Sequence, residues 1–260
     1  MPNLDGVMPE SLKAISETVR LGSDVPALLV RPEPDDGSPA PWILWMHGRT
    51  AHKELDPGRY LRLARAGIAS CAIDLPGHGE REDAHETEPA DALNIIEQML
   101  GELDDVVQEL GRRGGFDLQR AAIGGMSLGG MITLARLCRP HPFRAAIVEA
   151  ASGNWSFQEQ RQFQDQVAVA DLDPIRHLAN WREIPLLAVH CKADEWVFWE
   201  GQRAFLDALR TRSRKPELVE ELVLEHTGAP FEHLGFGKAA NDVRLTEIDF
   251  LKRTIGSEPA

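Results

Sequence analysis

An apolar run, Ala121-Ala122-Ile123, leads into Gly125-Met126-Ser127-Leu128-Gly129, and a stretch with helical spacing follows at once. Strand, Gly-x-Ser-x-Gly, helix is a demanding arrangement. Both glycines remove side chains that would collide where strand and helix cross, and the serine sits in a strained conformation at the tip of the turn. A serine hydroxyl is a poor nucleophile unless the backbone thrusts it out in this way, where a base can reach it. Ser127 is therefore the candidate nucleophile. The bare pattern also fits a glycine-rich packing corner, but its position after a strand near mid-chain, with two further signals downstream, weighs against that.

Around this turn, strand-like apolar runs alternate with amphipathic stretches, the signature of a mostly parallel α/β sheet with helices on both faces. Residues 17–21 and 27–30 read as an opening antiparallel pair, turning through Gly22, Ser23 and Asp24. Further strands are predicted at 42–46, 68–74, 120–124, 144–149, 185–191 and 217–224, and helices at 60–66, 92–111, 128–137 and 245–255. Between the strands ending at Glu149 and starting at Pro185, residues 150–183 show no strand pattern but carry Gln, Trp and Phe. They are expected to form a small helical cap, because insertions beyond the carboxyl ends of the strands cover the site of an open α/β sheet.

Two more positions complete a catalytic set. Asp194 follows the strand at 185–191, where its carboxylate would hold an imidazole in one tautomer and stabilise it when cationic. His233 follows the last strand and a glycine-containing loop, and would take the Ser127 proton and return it to the leaving group. The chain order Ser, Asp, His is the one this architecture uses.

Composition limits the remaining choices. At 260 residues the chain suits one large domain, 1–260, and no linker divides it. Acidic residues outnumber basic ones by 41 to 28, a formal charge of −13, which argues against nucleic acid or an anionic membrane surface as a partner. Cys71, Cys138 and Cys191 lie in or beside apolar segments, are odd in number and have no paired spacing, so neither a disulfide framework nor a zinc site is expected. The first sixteen residues lack a basic start followed by an apolar stretch, and the expectation is a cytoplasmic protein. No phosphate-binding glycine loop and no clustered ligand set is present, so no cofactor and no metal is expected. Homo-oligomerisation stays open.

Taken together, Trp45-Met46-His47-Gly48-Arg49, Asp74-Leu75-Pro76-Gly77-His78-Gly79-Glu80-Arg81, Gly125-Met126-Ser127-Leu128-Gly129, Asp173-Pro174 and Asp194 resemble the α/β-hydrolase superfamily. The resemblance is nearest to its dienelactone hydrolase-like and prolyl oligopeptidase-like serine esterases, and it runs through almost the whole chain. It implies an α/β-hydrolase fold. It also implies an oxyanion hole made by the backbone N–H groups of Arg49 and Leu128, an effect worth roughly 3–4 kcal/mol per donor. His226, at the end of the last strand, competes with His233 as base, and Glu149 competes with Asp194, since some similar hydrolases take their acid from that strand end. In similar proteins the residue at His47 shapes the oxyanion turn, and His78 lies in a loop over the site.

Trp155, Arg81 and Trp196 are candidate pocket residues, with Phe157 and Phe163 beside them. Arg81 and Arg49 could grip a substrate carboxylate through paired hydrogen bonds, and Arg81 also fits an ion pair anchoring its loop. Aromatics in a cap more often form its own small core. Dienelactone hydrolases proper use cysteine at the elbow, and haloalkane dehalogenases a carboxylate, so serine here excludes the second and leaves the first's substrate unassumed. The expected activity is hydrolysis of a small or medium-sized carboxylic ester through an acyl-enzyme on Ser127. Peptidase, thioesterase and acyltransferase chemistry use the same triad, and a non-catalytic binding protein on this scaffold is the alternative of a different class.

Overall fold

The computed structural model describes residues 8–32, 38–81, 92–159, 163, 167 and 169–256. At its centre is a sheet of order β1-β2-β4-β3-β5-β6-β7-β8. Its strands are β1 (Ser16–Leu21), β2 (Val25–Val30), β3 (Ala40–Met46), β4 (Ala69–Ile73), β5 (Phe116–Met126), β6 (Ala145–Glu149), β7 (Leu186–Cys191) and β8 (Val219–Leu224). β1 and β2 form an antiparallel hairpin at one edge and β2 runs antiparallel to β4. All other neighbours are parallel.

The helices are α1 (Glu10–Lys13), α2 (Pro57–Arg65), α3 (Ala92–Arg113), α4 (Leu128–Leu137), α5 (Trp199–Arg212) and α6 (Ala240–Thr254). Because successive side chains of a strand point to opposite faces, each buried strand feeds two cores. Trp42, Leu44 and Met46 of β3 and Ala121 and Ile123 of β5 face α3, α4 and α5. Ile43, Trp45 and Ala122 face α1, α2 and α6. A strand buried on both faces loses the alternation of polar and apolar residues, which is why β3, β4, β6 and β7 read as short continuous apolar runs.

Two features differ from the sequence reading. α5 carries no matching prediction: its inner face, Phe205, Leu206 and Leu209, is interrupted by Glu200, Gln202 and Arg203. In the segment 150–183, the described residues form 3₁₀ stretches at Trp155–Phe157 and Pro174–Asn180. Trp155, Phe163, Leu172 and Leu178 join the same core as α3, α4 and α5. Residues 160–162, 164–166 and 168 of the expected cap lie outside the described residues. No helix among the described residues is long and apolar enough to cross a membrane.

Candidate active site

The parallel strands deliver their carboxyl ends to one edge of the sheet, where α/β proteins build their sites. Ser127 lies between β5 and α4 with φ 52° and ψ −116°, a conformation rare for a residue with a side chain. Two contacts hold it there: its N–H donates to the Glu149 carbonyl at 2.8 Å, and its carbonyl accepts from Met131 N–H at 2.9 Å. The two glycines flanking Ser127 are sterically obligatory. A Cβ at Gly125 would sit 2.5 Å from the Gly129 carbonyl carbon, and one at Gly129 would run into the Met46 carbonyl oxygen.

His233 joins Ser127 to Asp194. Its Nε2 lies 2.8 Å from Ser127 Oγ and its Nδ1 2.7 Å from Asp194 Oδ2. With the carboxylate as acceptor, Nδ1 carries the proton and Nε2 is free to accept the serine O–H. The other carboxylate oxygen of Asp194 accepts the N–H groups of Trp196 at 2.9 Å and Val197 at 2.8 Å, which fixes its plane. Asp194 and His233 are buried, so this chain of hydrogen bonds works in a low-dielectric setting.

The loop that carries His233 is shaped by Phe231 and Glu232, both at positive φ (56° and 50°). The Glu232 carboxylate ties the loop together by accepting Thr227 N–H and Oγ1–H, both at 2.6 Å, and Gly228 N–H at 3.2 Å. Those hydrogen bonds, from Thr227 foremost, hold its carboxyl down at about 2. Trp196 stacks on Phe231, ring centroids 4.9 Å apart, and meets the His233 ring at a tilt of 41°, centroids 5.0 Å apart.

The turn expected to hold the oxyanion, at Gly48 and Arg49, is set by His47. Its Nε2 accepts Leu75 N–H at 3.1 Å, so Nδ1 holds the proton and donates it to the Gly48 carbonyl at 2.7 Å. A trans peptide points its C=O and N–H in opposite directions. Holding the Gly48 carbonyl therefore directs the Arg49 N–H the other way. A Cβ at Gly48 would lie only 3.3 Å from Ser127 Cβ, so this turn abuts the nucleophile. The second N–H, Leu128, is the first of α4, where helix N–H groups have no intrahelical partner. Among the described residues neither N–H is engaged by another group. Burial, the largest influence, drives the His47 pKa down to about 4, so the imidazole stays neutral at physiological pH.

The competing residues are used otherwise. His226 is 78% exposed and lies 3.7 Å from Glu232, while the imidazole on Ser127 is that of His233. Glu149 pairs with Arg59 at 2.8 Å, and that guanidinium also meets Glu247 at 2.5 Å and Asp56 at 3.2 Å while stacking 3.8 Å over the Trp45 ring. Two pocket expectations need correction. Trp155 is fully buried, donates its indole N–H to Ser152 and packs edge-on to Phe163, so it belongs to the core. Arg81 makes a bidentate pair with Glu102 on α3, both contacts 2.8 Å, which anchors its loop and leaves no fork for a substrate.

A cavity of about 610 Å³ opens over Ser127 and His233. Trp196, Phe163, Leu128 and Met131 line part of it, and Glu149, Asp56, Arg59 and Arg244 another. Sequence reading missed Arg59 and Arg244; only their place on α2 and α6, brought together by the fold, reveals them.

An eight-stranded α/β-hydrolase sheet with a serine held at its elbow defines a serine hydrolase. The chain belongs to the prolyl oligopeptidase family, whose model matches residues 58–258, a span holding Ser127, Asp194 and His233. It is 25% identical over 194 residues to the esterase YjfP of Escherichia coli, covering 67% of this chain and 77% of that protein. Among solved structures it is similar to TT1662 of Thermus thermophilus, with a TM-score of 0.72 and 23% identity over 94% of this chain and 99% of the other. A puromycin-hydrolyzing peptidase of Mycobacterium tuberculosis superposes with a TM-score of 0.73 and 20% identity over 94% of this chain, which spans 40% of that peptidase.

Proposed function

We propose that this serine hydrolase cleaves carboxylic esters of small or medium-sized substrates, with Ser127 as nucleophile, His233 as general base and acid, and Asp194 as its orienting partner. The observation that carries the reading is the unbroken hydrogen-bonded line from Asp194 through His233 to Ser127, ending in a cavity beside two free N–H groups.

In the first half-reaction Ser127 Oγ passes its proton to His233 Nε2 and attacks the acyl carbon. The carbonyl oxygen becomes negative and is met by the N–H groups of Arg49 and Leu128. Collapse of the tetrahedral intermediate breaks the C–O bond, and His233 returns the proton to the leaving alcohol. Water then repeats the sequence on the acyl-enzyme, giving the carboxylic acid and free serine. Asp194 stabilises the imidazolium formed in each half without itself taking the proton. The same reading treats the chain as one cytoplasmic domain acting on small molecules, with Gln158 and Phe163 of the segment after β6 on the cavity wall. Peptide hydrolysis is the second reading, favoured by the peptidases of the family.

The test is turnover of p-nitrophenyl esters of rising acyl length beside p-nitroanilides, together with labelling by a fluorophosphonate. Ser127→Ala should abolish labelling, and both Ser127→Ala and His233→Ala should lower kcat by about 10⁴-fold or more at unchanged fold. Faster cleavage of anilides than of matched esters would favour the peptidase. Absence of labelling in folded wild type would overturn the catalytic reading.

A further inference from the structure

Three arginines line the cavity, and two of them are already engaged. Arg59 is held by Glu149, Glu247 and Asp56, and Arg244 by Asp56 at 2.7 Å. The third, Arg49, is half-buried, and its guanidinium has no hydrogen bond or ion pair with any described residue. A guanidinium on a cavity wall offers a planar fork of donors, and a carboxylate meets that fork through two parallel hydrogen bonds.

Charge pairing around the cavity points the same way. Glu149, Glu247 and Asp56 are all spent on Arg59 and Arg244, which leaves Arg49 as the guanidinium of its walls that meets no carboxylate among the described residues. Placement matters as well. Arg49 follows Gly48, whose backbone abuts Ser127, so its side chain starts beside the scissile bond. The loop around it is tied down by Lys53, fully buried, whose N–H and ammonium reach the two Asp74 carboxylate oxygens at 2.8 and 2.9 Å. The loop backbone is thus rigid while the Arg49 side chain is left for something outside the protein.

We propose that Arg49 determines specificity by binding the carboxylate of an anionic ester, one that carries this carboxylate a few bonds from its scissile carbonyl. The proposal rests on the ester-hydrolase reading above and supplies its substrate class. Arg49 then serves twice: its N–H faces the oxyanion and its guanidinium holds the far end of the same substrate.

The experiment compares p-nitrophenyl hydrogen glutarate with p-nitrophenyl valerate, which differ by a carboxylate in place of a methyl group. Wild type should prefer the glutarate ester by tenfold or more in kcat/KM. Arg49→Met should cut that preference at least tenfold, mainly through KM for the anionic ester, and Arg49→Lys should keep part of it. A wild type that favours valerate, or an Arg49→Met variant with the preference intact, overturns the proposal while leaving the ester-hydrolase reading in place. If neither ester turns over, that reading falls and Arg49 is judged on binding. Glutaramate must then protect Ser127 from a neutral fluorophosphonate better than uncharged glutaramide does, and Arg49→Met must erase the difference. Equal protection by the two compounds overturns the proposal.

Discussion

His47 illustrates how one buried side chain can govern a site whose chemistry it does not perform. Its two ring nitrogens are both occupied, one by Leu75 N–H and one by the Gly48 carbonyl, and the second contact aims the Arg49 N–H. Replacing it with phenylalanine frees the Gly48 peptide to rotate. We expect His47→Phe to lower kcat for a p-nitrophenyl ester by about 10²-fold, the usual scale for one oxyanion donor, with KM nearly unchanged. A kcat within twofold of wild type would show that the peptide is held by other means. The same residue gives stability a pH dependence. In the unfolded chain a histidine gains its proton near 6.5, whereas buried His47 resists until about 4. Its contribution is complete above 6.5 and is lost as pH falls from 6.5 to 4, up to about 3 kcal/mol for this group. Burial lowers His141 to about 4 as well, adding in the same direction. Urea denaturation at pH 7 and pH 4.5 should therefore show a smaller acid loss in His47→Phe than in wild type.

At the level of elements, Arg59 clasps α2 to β6 and α6. Its partners stand 90 and 188 residues away in sequence. Burial pushes the Glu247 carboxyl well above the ordinary carboxylate range even with Arg59 beside it, so the cluster balances one guanidinium chiefly against Glu149. Removing the cation strands a buried carboxylate. Arg59→Met should cost about 3–5 kcal/mol of unfolding free energy, and adding Glu149→Gln and Glu247→Gln should recover much of it. Chemical denaturation of the two variants decides the matter, and equal stability would mean that water reaches the cluster. Such clasps explain what was legible in the chain and what was not. The elbow, the buried strands and α4 announce themselves through local periodicity and glycine placement. α5 escaped because polar residues dilute its stripe, and the Arg59 cluster because pairing across 188 residues leaves no local trace. Trp155 leaves two readings open for a related reason: its residue type promises a large contact without saying whether that contact is a substrate or the core, and the fold decides for the core.

Across the whole molecule, the machinery is divided between the middle of the sheet and its margin. Ser127 follows β5, which has β3 on one side and β6 on the other, whereas His233 hangs from a loop after β8, the outermost strand. β8 is also the strand of this half of the sheet with the greatest solvent access. Local opening begins where few buried contacts hold the backbone. Heating should therefore abolish ester turnover several degrees before far-UV circular dichroism reports loss of the sheet, and coincident transitions would refute that ordering. The loops that carry Asp194 and His233 are meanwhile joined: Glu195 N–H donates to the Phe231 carbonyl at 3.1 Å, Trp196 stacks on Phe231 and leans at a tilt on His233, and Asp194 holds the imidazole. Asp194 and His233 are thus fastened to each other as one jaw of a caliper whose other jaw is the elbow, and a single gap, the 2.8 Å between Nε2 and Oγ, is where the two jaws meet.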